Sequence, residues 1–303
     1  MSVRDGAQTD GVGGALPPQA PGDDVADPGP GGGAADRGEV PGAAPWPRER
    51  RLVGMVHLPA LPGAPRWGGS MEAVLERAVS DARALEAAGF DAVLVENFLD
   101  APFFPSEVPP ETVAGMTRAV AAVREATSLP VGVNVLRNDA RAALAAAAAT
   151  GAGFLRVNVH TGVMFTDQGT VEGRAAETVR LRAGLGVPVS LLADVLVKHA
   201  TPPPGRTLEE AARDSWHRGL ADALVVSGTA TGAPTGLERV RRVRRAVPEA
   251  RILVGSGVGP GTVAAVLEVA DGAIVGTAVT REGRAGSGVD PERARRLAAA
   301  AKG

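Results

Sequence analysis

The chain has no cysteine among its 303 residues. Disulfides, thiolate metal sites and cysteine nucleophiles are therefore excluded, and redox chemistry says nothing of compartment. Aromatic residues make up only 3% of the chain, too few to alternate with basic residues as a nucleic-acid stacking platform does. An excess of one charge is missing too. With 32 Lys and Arg against 34 Asp and Glu the formal net charge is −2, so no overall basic field argues for nucleic acid. No apolar run is long enough to cross a bilayer. The opening MSVRDGAQTDGVGG lacks the basic start and apolar middle of a secretory signal. A soluble cytoplasmic protein is the default expectation.

What is present divides the chain in two. Residues 1–48 are rich in Gly, Pro, Ala and Asp and show no helical or strand period. Such a segment cannot bury enough surface to offset its chain entropy, and it reads as a disordered tail. Residues 49–303 read as the folded domain, in which short apolar runs alternate with helix-like stretches. The runs are RLVGMVH (51–57), AVLVEN (92–97), VGVNVL (131–136), FLRVNV (154–159), VSLLADV (189–195), DALVVSG (222–228), ILVGSG (252–257) and GAIVGT (272–277). Near-continuous apolarity predicts strands covered on both faces, as in a parallel sheet. The first helix pattern, Met71, Val74, Leu75, Ala78, Ala82 and Leu85, follows Ser70 as its N-cap. Thr207 with Glu210 fits a capping box, and Asp290 precedes a first-turn Pro291.

Eight strand–helix units in about 250 residues predict an α/β fold, a (β/α)8 TIM barrel. A doubly wound open sheet is the rival, but no glycine fingerprint for a nucleotide follows an early strand. Asp91, Asp222 and Asp271 recur just before apolar runs, in GFDAVLVEN, LADALVVSG and VADGAIVGT. In a barrel that is the bottom face, where polar residues serve stability.

Chemistry in a barrel gathers at the C-terminal strand ends. Those ends carry His57, Glu96, Asn97, Asn134, Arg156, Asn158 and Asp194, with Lys198 and His199 in the loop after the fifth run. Alternation places Arg156 and Asn158 on one strand face. So many buried polar groups are costly unless they pair or bind something. His57, Glu96, Asp194 and Lys198 are the catalytic candidates, as proton-transfer groups. Asn97, Asn134, Arg156, Asn158 and His199 are candidates for holding a substrate. Ser227 and Gly228, Gly255, Ser256 and Gly257, and Gly276 and Thr277 end the last three runs. Their exposed backbone N–H groups suit a phosphate, as TIM barrels often hold at these loops. His160 and His217 read as structural or solvated, and RRVRR (241–245) as a solvated helix face.

The motifs GMVHLPALPGAPR, VENFLDAPF, VGVNVLRND, FLRVNVHTGVMFTDQG, ADVLVKHA and VGSGV occur in order over residues 50–290. Together they resemble the BtpA/SgcQ family. The resemblance implies a phosphate-binding type of TIM barrel and adds Asp167 and Gln168, in the long loop after the fourth strand, to the substrate-binding candidates. The lysine that the family often shows near Thr280 is absent here. The family name refers to photosystem I biogenesis, while other members occur beside sugar-metabolism genes.

Three functions follow as expectations. The first is an enzyme on a small phosphorylated sugar or nucleoside-like metabolite, by isomerase, lyase or phosphoribosyl chemistry. The second is a non-catalytic biogenesis factor that keeps the barrel as a scaffold. The third is a metal-dependent hydrolase using His57, Glu96, Asp194 and His199, although no short ligand-spacing motif connects them. No cofactor is called for, and any homo-oligomer is expected to pair through the barrel helices.

Overall fold

In the computed structural model, which describes residues 40–49, 51–228 and 236–302, all eight apolar runs become strands. The ten strands are β1 (Leu52–His57), β2 (Ala92–Glu96), β3 (Val131–Asn134), β4 (Phe154–Val157), β5 (Val163–Thr166), β6 (Gly169–Glu172), β7 (Ser190–Val195), β8 (Ala223–Ser227), β9 (Ile252–Gly255) and β10 (Gly272–Val275). Eight of them close a barrel in the order β1-β2-β3-β4-β7-β8-β9-β10, back to β1. Every neighbouring pair in it is parallel. All residues of these eight strands are buried, which is why the runs show no polar alternation in their lower parts. The resulting fold is a TIM barrel.

Among the described residues eight α-helices surround it: α1 (Met71–Ala88), α2 (Pro110–Ala126), α3 (Ala140–Thr150), α4 (Ala175–Leu185), α5 (Leu208–Arg213), α6 (Leu237–Ala246), α7 (Val263–Val269) and α8 (Pro291–Lys302). Their starts follow the local chemistry. Ser70 Oγ accepts from Ala73 N at 3.2 Å, the Thr207–Glu210 capping box is complete, and Asp290 accepts from the N–H groups of Glu292 and Arg293. Along α1, Val74, Ala78, Ala82 and Leu85 face the barrel; burying a leucine side chain of this kind contributes about 1.5–3 kcal/mol. Gly54 permits that approach, because a Cβ there would lie 2.6 Å from Leu85 Cδ1.

The barrel interior is a second, separate core of Val53, Met55, Ala92, Leu94, Phe154, Leu192, Ala223, Val225, Leu253 and Ile274, closed by Trp46. Period-two alternation carries each inward row up the strand to a polar or glycine residue at the top. Val53 and Met55 lead to His57, Ala92 and Leu94 to Glu96, and Phe154 to Arg156 and Asn158. Gly132 lies in this interior, where a Cβ would meet the Phe154 ring at 2.2 Å.

Two expectations need correction. Residues 1–39, most of the expected tail, lie outside the described residues. Residues 40–48 are not tail: Trp46 is 2% exposed and meets the Phe154 ring edge-on at 5.0 Å. Beside it, Ala43 bridges Val189 and Ser190 Oγ donates to Ala44 O. The long loop after β4 is in fact the antiparallel hairpin β5–β6. Its edge meets the loop after β7 through paired hydrogen bonds between Phe165 and Thr201, both 2.8 Å. His217 lies in a π-helical turn, Asp214–Arg218, that continues α5. No helix of the described residues is long and apolar enough to cross a membrane.

Candidate active site

The rows end at the C-terminal mouth of the barrel, where His57, Glu96, Asn134, Arg156, Asn158 and Asp194 are all at least nine-tenths buried. They form two linked groups. On one side, Asn134 Nδ2 donates to Glu96 Oε2 at 2.6 Å, and His57 Nε2 stands 3.7 Å from Glu96 Oε1. Burial, opposed by the Glu96 charge and aided by Lys198 and Arg156, lowers the His57 pKa to about 4. At neutral pH the imidazole is therefore uncharged. The Phe98 ring packs on it with centroids 4.5 Å apart.

On the other side, Arg156 Nε and NH2 grip both oxygens of Asp194 at 2.9 Å, the fork-on-carboxylate geometry that makes such pairs strong. Burial alone would lower the Arg156 pKa; the charge and hydrogen bonds of Asp194 outweigh it and hold it raised. Asn158 Nδ2 adds a 3.2 Å bond to Asp194 Oδ2. Asp194 thus has both oxygens engaged and is a rigid anchor rather than the proton carrier expected of it.

Lys198 lies within reach of the charges of both groups. Its Nζ donates to Ser256 Oγ at 2.8 Å, and its backbone carbonyl accepts from Arg137 NH2 at 2.8 Å. Burial, with Arg156 nearby, lowers its pKa to about 8, against the pull of Glu96 and Asp194. The loop that presents it is held in an uncommon conformation, with Leu196 at φ 50° and His199 at φ 56°. Non-glycine residues at such angles concentrate at functional sites.

His57, Glu96, Phe98, Arg156 and Lys198 line a cavity of about 250 Å³ with Ser256, Gly257, Gly276, Thr277 and Arg293, among others, while Asn134, Asn158 and Asp194 lie outside its lining. Its cations are Lys198, Arg156 and Arg293, and its acid is Glu96. Four of the seven phosphate candidates, Ser256, Gly257, Gly276 and Thr277, are in that lining. Gly255 sits one step deeper, with Ser227 Oγ 3.1 Å from where its Cβ would be. Ser227 Oγ is buried without a partner among the described residues. Gly228 is half-buried outside the lining. The helix after GSG begins only at Val263, whereas a short 3-10 turn, Thr277–Val279, starts at GT itself.

Other candidates are placed elsewhere. Asn97 is engaged in the scaffold: its Nδ2 donates to Asp100 at 2.9 Å and its Oδ1 accepts from Leu136 N at 2.7 Å. Asp167 and Gln168 form the tip of the β5–β6 hairpin and bond to each other. Asp167 is near enough to raise the pKa values of Arg137 and His199, both lowered first by burial. His199 is exposed beside the mouth. The alternative metal set does not assemble: no group of three or more His, Asp or Glu side chains converges among the described residues, and Asp194 is held by Arg156 and Asn158. His160 is structural, its Nε2 bonding Gly219 O at 2.7 Å. Phe98 and Arg293 were not read from the sequence as site residues. Phe98 sits directly after the Glu96–Asn97 strand end and could have been found there. Arg293 comes from the last helix, with no local signal.

A model of the BtpA family matches residues 48–303. The chain belongs to the BtpA family. Its resemblance to BtpA/SgcQ proteins, read above from motifs, holds along the barrel. It is 46% identical over 242 residues to the photosystem I biogenesis protein BtpA of Synechocystis sp., covering 80% of this chain and 84% of that one. It is 33% identical over 248 residues to the putative sgc region protein SgcQ of Escherichia coli, covering 81% and 91%. Among solved structures it is similar to thiamine phosphate pyrophosphorylase from Pyrococcus furiosus, with a TM-score of 0.54 at 15% identity over 84% of this chain and 96% of that one. At that identity the likeness shows the fold alone. In BtpA-family terms, the VENFLD and ADVLVKHA motifs supply Glu96 and Phe98, and Asp194 and Lys198, to the mouth.

Proposed function

We propose that this BtpA-family barrel is an enzyme acting on a small phosphorylated sugar or nucleoside-like metabolite. One observation carries the reading: a cation-rich cavity brings a lysine held near pKa 8 and an uncharged histidine beside a carboxylate to the same glycine-lined loops. The phosphate would lie at Ser256–Gly257 and Gly276–Thr277, with Arg293 as its counter-charge. Glu96 would then take a proton from the carbon next to a substrate carbonyl. Lys198 would donate a hydrogen bond to the oxygen that gains charge, and the proton would return to the neighbouring carbon. Neutral His57 can relay a proton near pH 7, and Arg156–Asp194 keeps the wall rigid. Isomerase chemistry begins with this step; a retro-aldol lyase would begin with removal of a hydroxyl proton by the same base, and phosphoribosyl transfer with loss of a leaving group from the anomeric carbon. Burying so many polar groups for scaffold purposes alone would be costly.

The relative named a photosystem I biogenesis protein supports a second reading, a non-catalytic assembly factor. Calorimetric titration with ribose 5-phosphate separates the two. Saturable binding is expected in the wild type, and Lys198→Met should weaken it by about ten- to a hundredfold, the worth of one charged hydrogen bond. Absence of binding by a folded wild type would move the assignment to the assembly factor.

A further inference from the structure

A second cavity, of about 540 Å³, opens on the far side of the Arg156–Asp194 pair. Arg156 faces the cation-rich cavity and Asp194 faces this one, so the two spaces are separated by a single ion pair. Their linings differ. The acids of the second cavity are already held, Asp194 by Arg156, Asp214 by Arg206 and Glu210 by Thr207, and its wall is largely apolar, with Val163, Met164, Leu196, Val197 and Pro203.

Three further observations mark it as built for a ligand. Asn158, on its wall and 3% exposed, has its Nδ2 fixed on Asp194, which settles the amide orientation; its Oδ1 then has no donor among the described residues. A buried acceptor left unmet is costly, and a donor arriving with a ligand would satisfy it. Asp214 and Ser215 reach the wall from a π-helical turn, a rare geometry found mostly at functional sites. Leu196 reaches it from a left-handed backbone, φ 50°.

We propose that this cavity is a second subsite, taking a flat, neutral or cationic heterocycle that carries N–H donors, while the anionic end of the same ligand lies in the cation-rich cavity. The inference rests on the phosphate reading above and narrows it: the substrate is a nucleotide-like molecule rather than a simple sugar phosphate. The apolar wall suits the ring faces, the unmet Asn158 Oδ1 suits its N–H edge, and the sugar would pass beside the Arg156–Asp194 pair.

The probes are AMP, CMP and ribose 5-phosphate, titrated into the full chain. AMP or CMP should bind at least about tenfold tighter than ribose 5-phosphate, a gain of ~1.4 kcal/mol. Val163→Trp, on the hairpin and away from the mouth, should remove that gain while ribose 5-phosphate binding stays within about twofold; the retained binding also reports an intact fold. If ribose 5-phosphate binds and neither nucleotide gains, or the gain survives Val163→Trp, the second subsite is wrong and the phosphate reading stands. If the folded wild type binds none of the three, both fall.

Discussion

At the N-terminal end of the barrel Asp91, Asp222 and Asp271 bind backbone, whereas at the C-terminal end Glu96 and Asp194 bind side chains. The lower three repeat one device. Each carboxylate accepts from the N–H of a residue at the start of the preceding barrel strand, Leu52, Leu191 or Ile252, at 2.8 Å. Each aspartate's own N–H donates back to that same residue's carbonyl at 2.8–2.9 Å. The β-strands are thereby tied in register where they start. Guanidinium groups then neutralise two of the three acids: Arg182 on Asp222, and Arg244 and Arg251 on Asp271. At the mouth the acids instead hold Asn134, Arg156 and Asn158. A side chain can change partners when a ligand arrives; a backbone N–H at a strand start cannot. One end is therefore tied through backbone groups and the other through side chains.

The sharpest way to break that contrast is Asp222→Ala. Arg182 is 1% exposed, and its Nη1 donates to Asp222 at 2.6 Å. Removing the carboxylate strands a buried guanidinium and leaves Leu191 N–H unpaired. The expected loss is about 3–5 kcal/mol in urea unfolding, with ribose 5-phosphate affinity unchanged in the fraction that folds. A variant of normal stability that no longer binds would erase the distinction between the two ends.

The ends should also separate by pH. Burial holds His57 near pKa 4, below its ordinary 6.5. Between those values the unfolded chain takes up a proton that the native state refuses. The stability is therefore fully present above pH 6.5 and is lost as pH falls toward 4, by about 3 kcal/mol for this one group. Asp271, by contrast, is held below its ordinary value because the hydrogen bonds and charges of Arg244, Arg251 and Ile252 outweigh the opposing effect of burial, so its contribution is present above pH 3.8 and lost only at greater acidity. Unfolding free energies measured from pH 7 to 4 should fall less steeply in His57→Gln than in the wild type. An unchanged slope would mean that the mouth carries no such proton-linked cost.

Much of this division can be read from residue order. Continuous apolar runs specify strands buried on both faces, and period two then sends His57, Glu96, Arg156 and Asp194 into the mouth without knowledge of any contact. The recurring aspartates before strands are legible as bottom-face residues for the same reason. Less legible is what each polar group does once there. Asn97 and Asn134 stand at similar heights on neighbouring strands, yet one turns to backbone and Asp100 and the other to Glu96, because residues one apart face opposite ways. The β5–β6 hairpin escapes because TGVMFTDQGTVE is short, and only Met164 and Val171 of its two strands are buried. Trp46 escapes because a single buried aromatic in a Gly- and Pro-rich stretch has no period to reveal it. Arg244 reads as one of a solvated run but reaches Asp271 and Ala250 O.

The smallest effect expected belongs to neither end. Arg242 on α6 forks onto Glu209 of α5 at 2.6 and 2.8 Å, and hydrogen bonds from Arg242 are the largest cause lowering the Glu209 pKa to about 2. Geometry alone would rank this pair with Arg182–Asp222. The difference is water: the Arg242 side chain is 46% exposed, that of Arg182 1%. Solvent screening and side-chain entropy leave an exposed pair with little net worth, so Arg242→Ala should shift urea unfolding far less than Asp222→Ala and leave ligand affinity alone. A loss approaching that of Asp222→Ala would mean that burial is not what separates the barrel's structural acids from its surface ones.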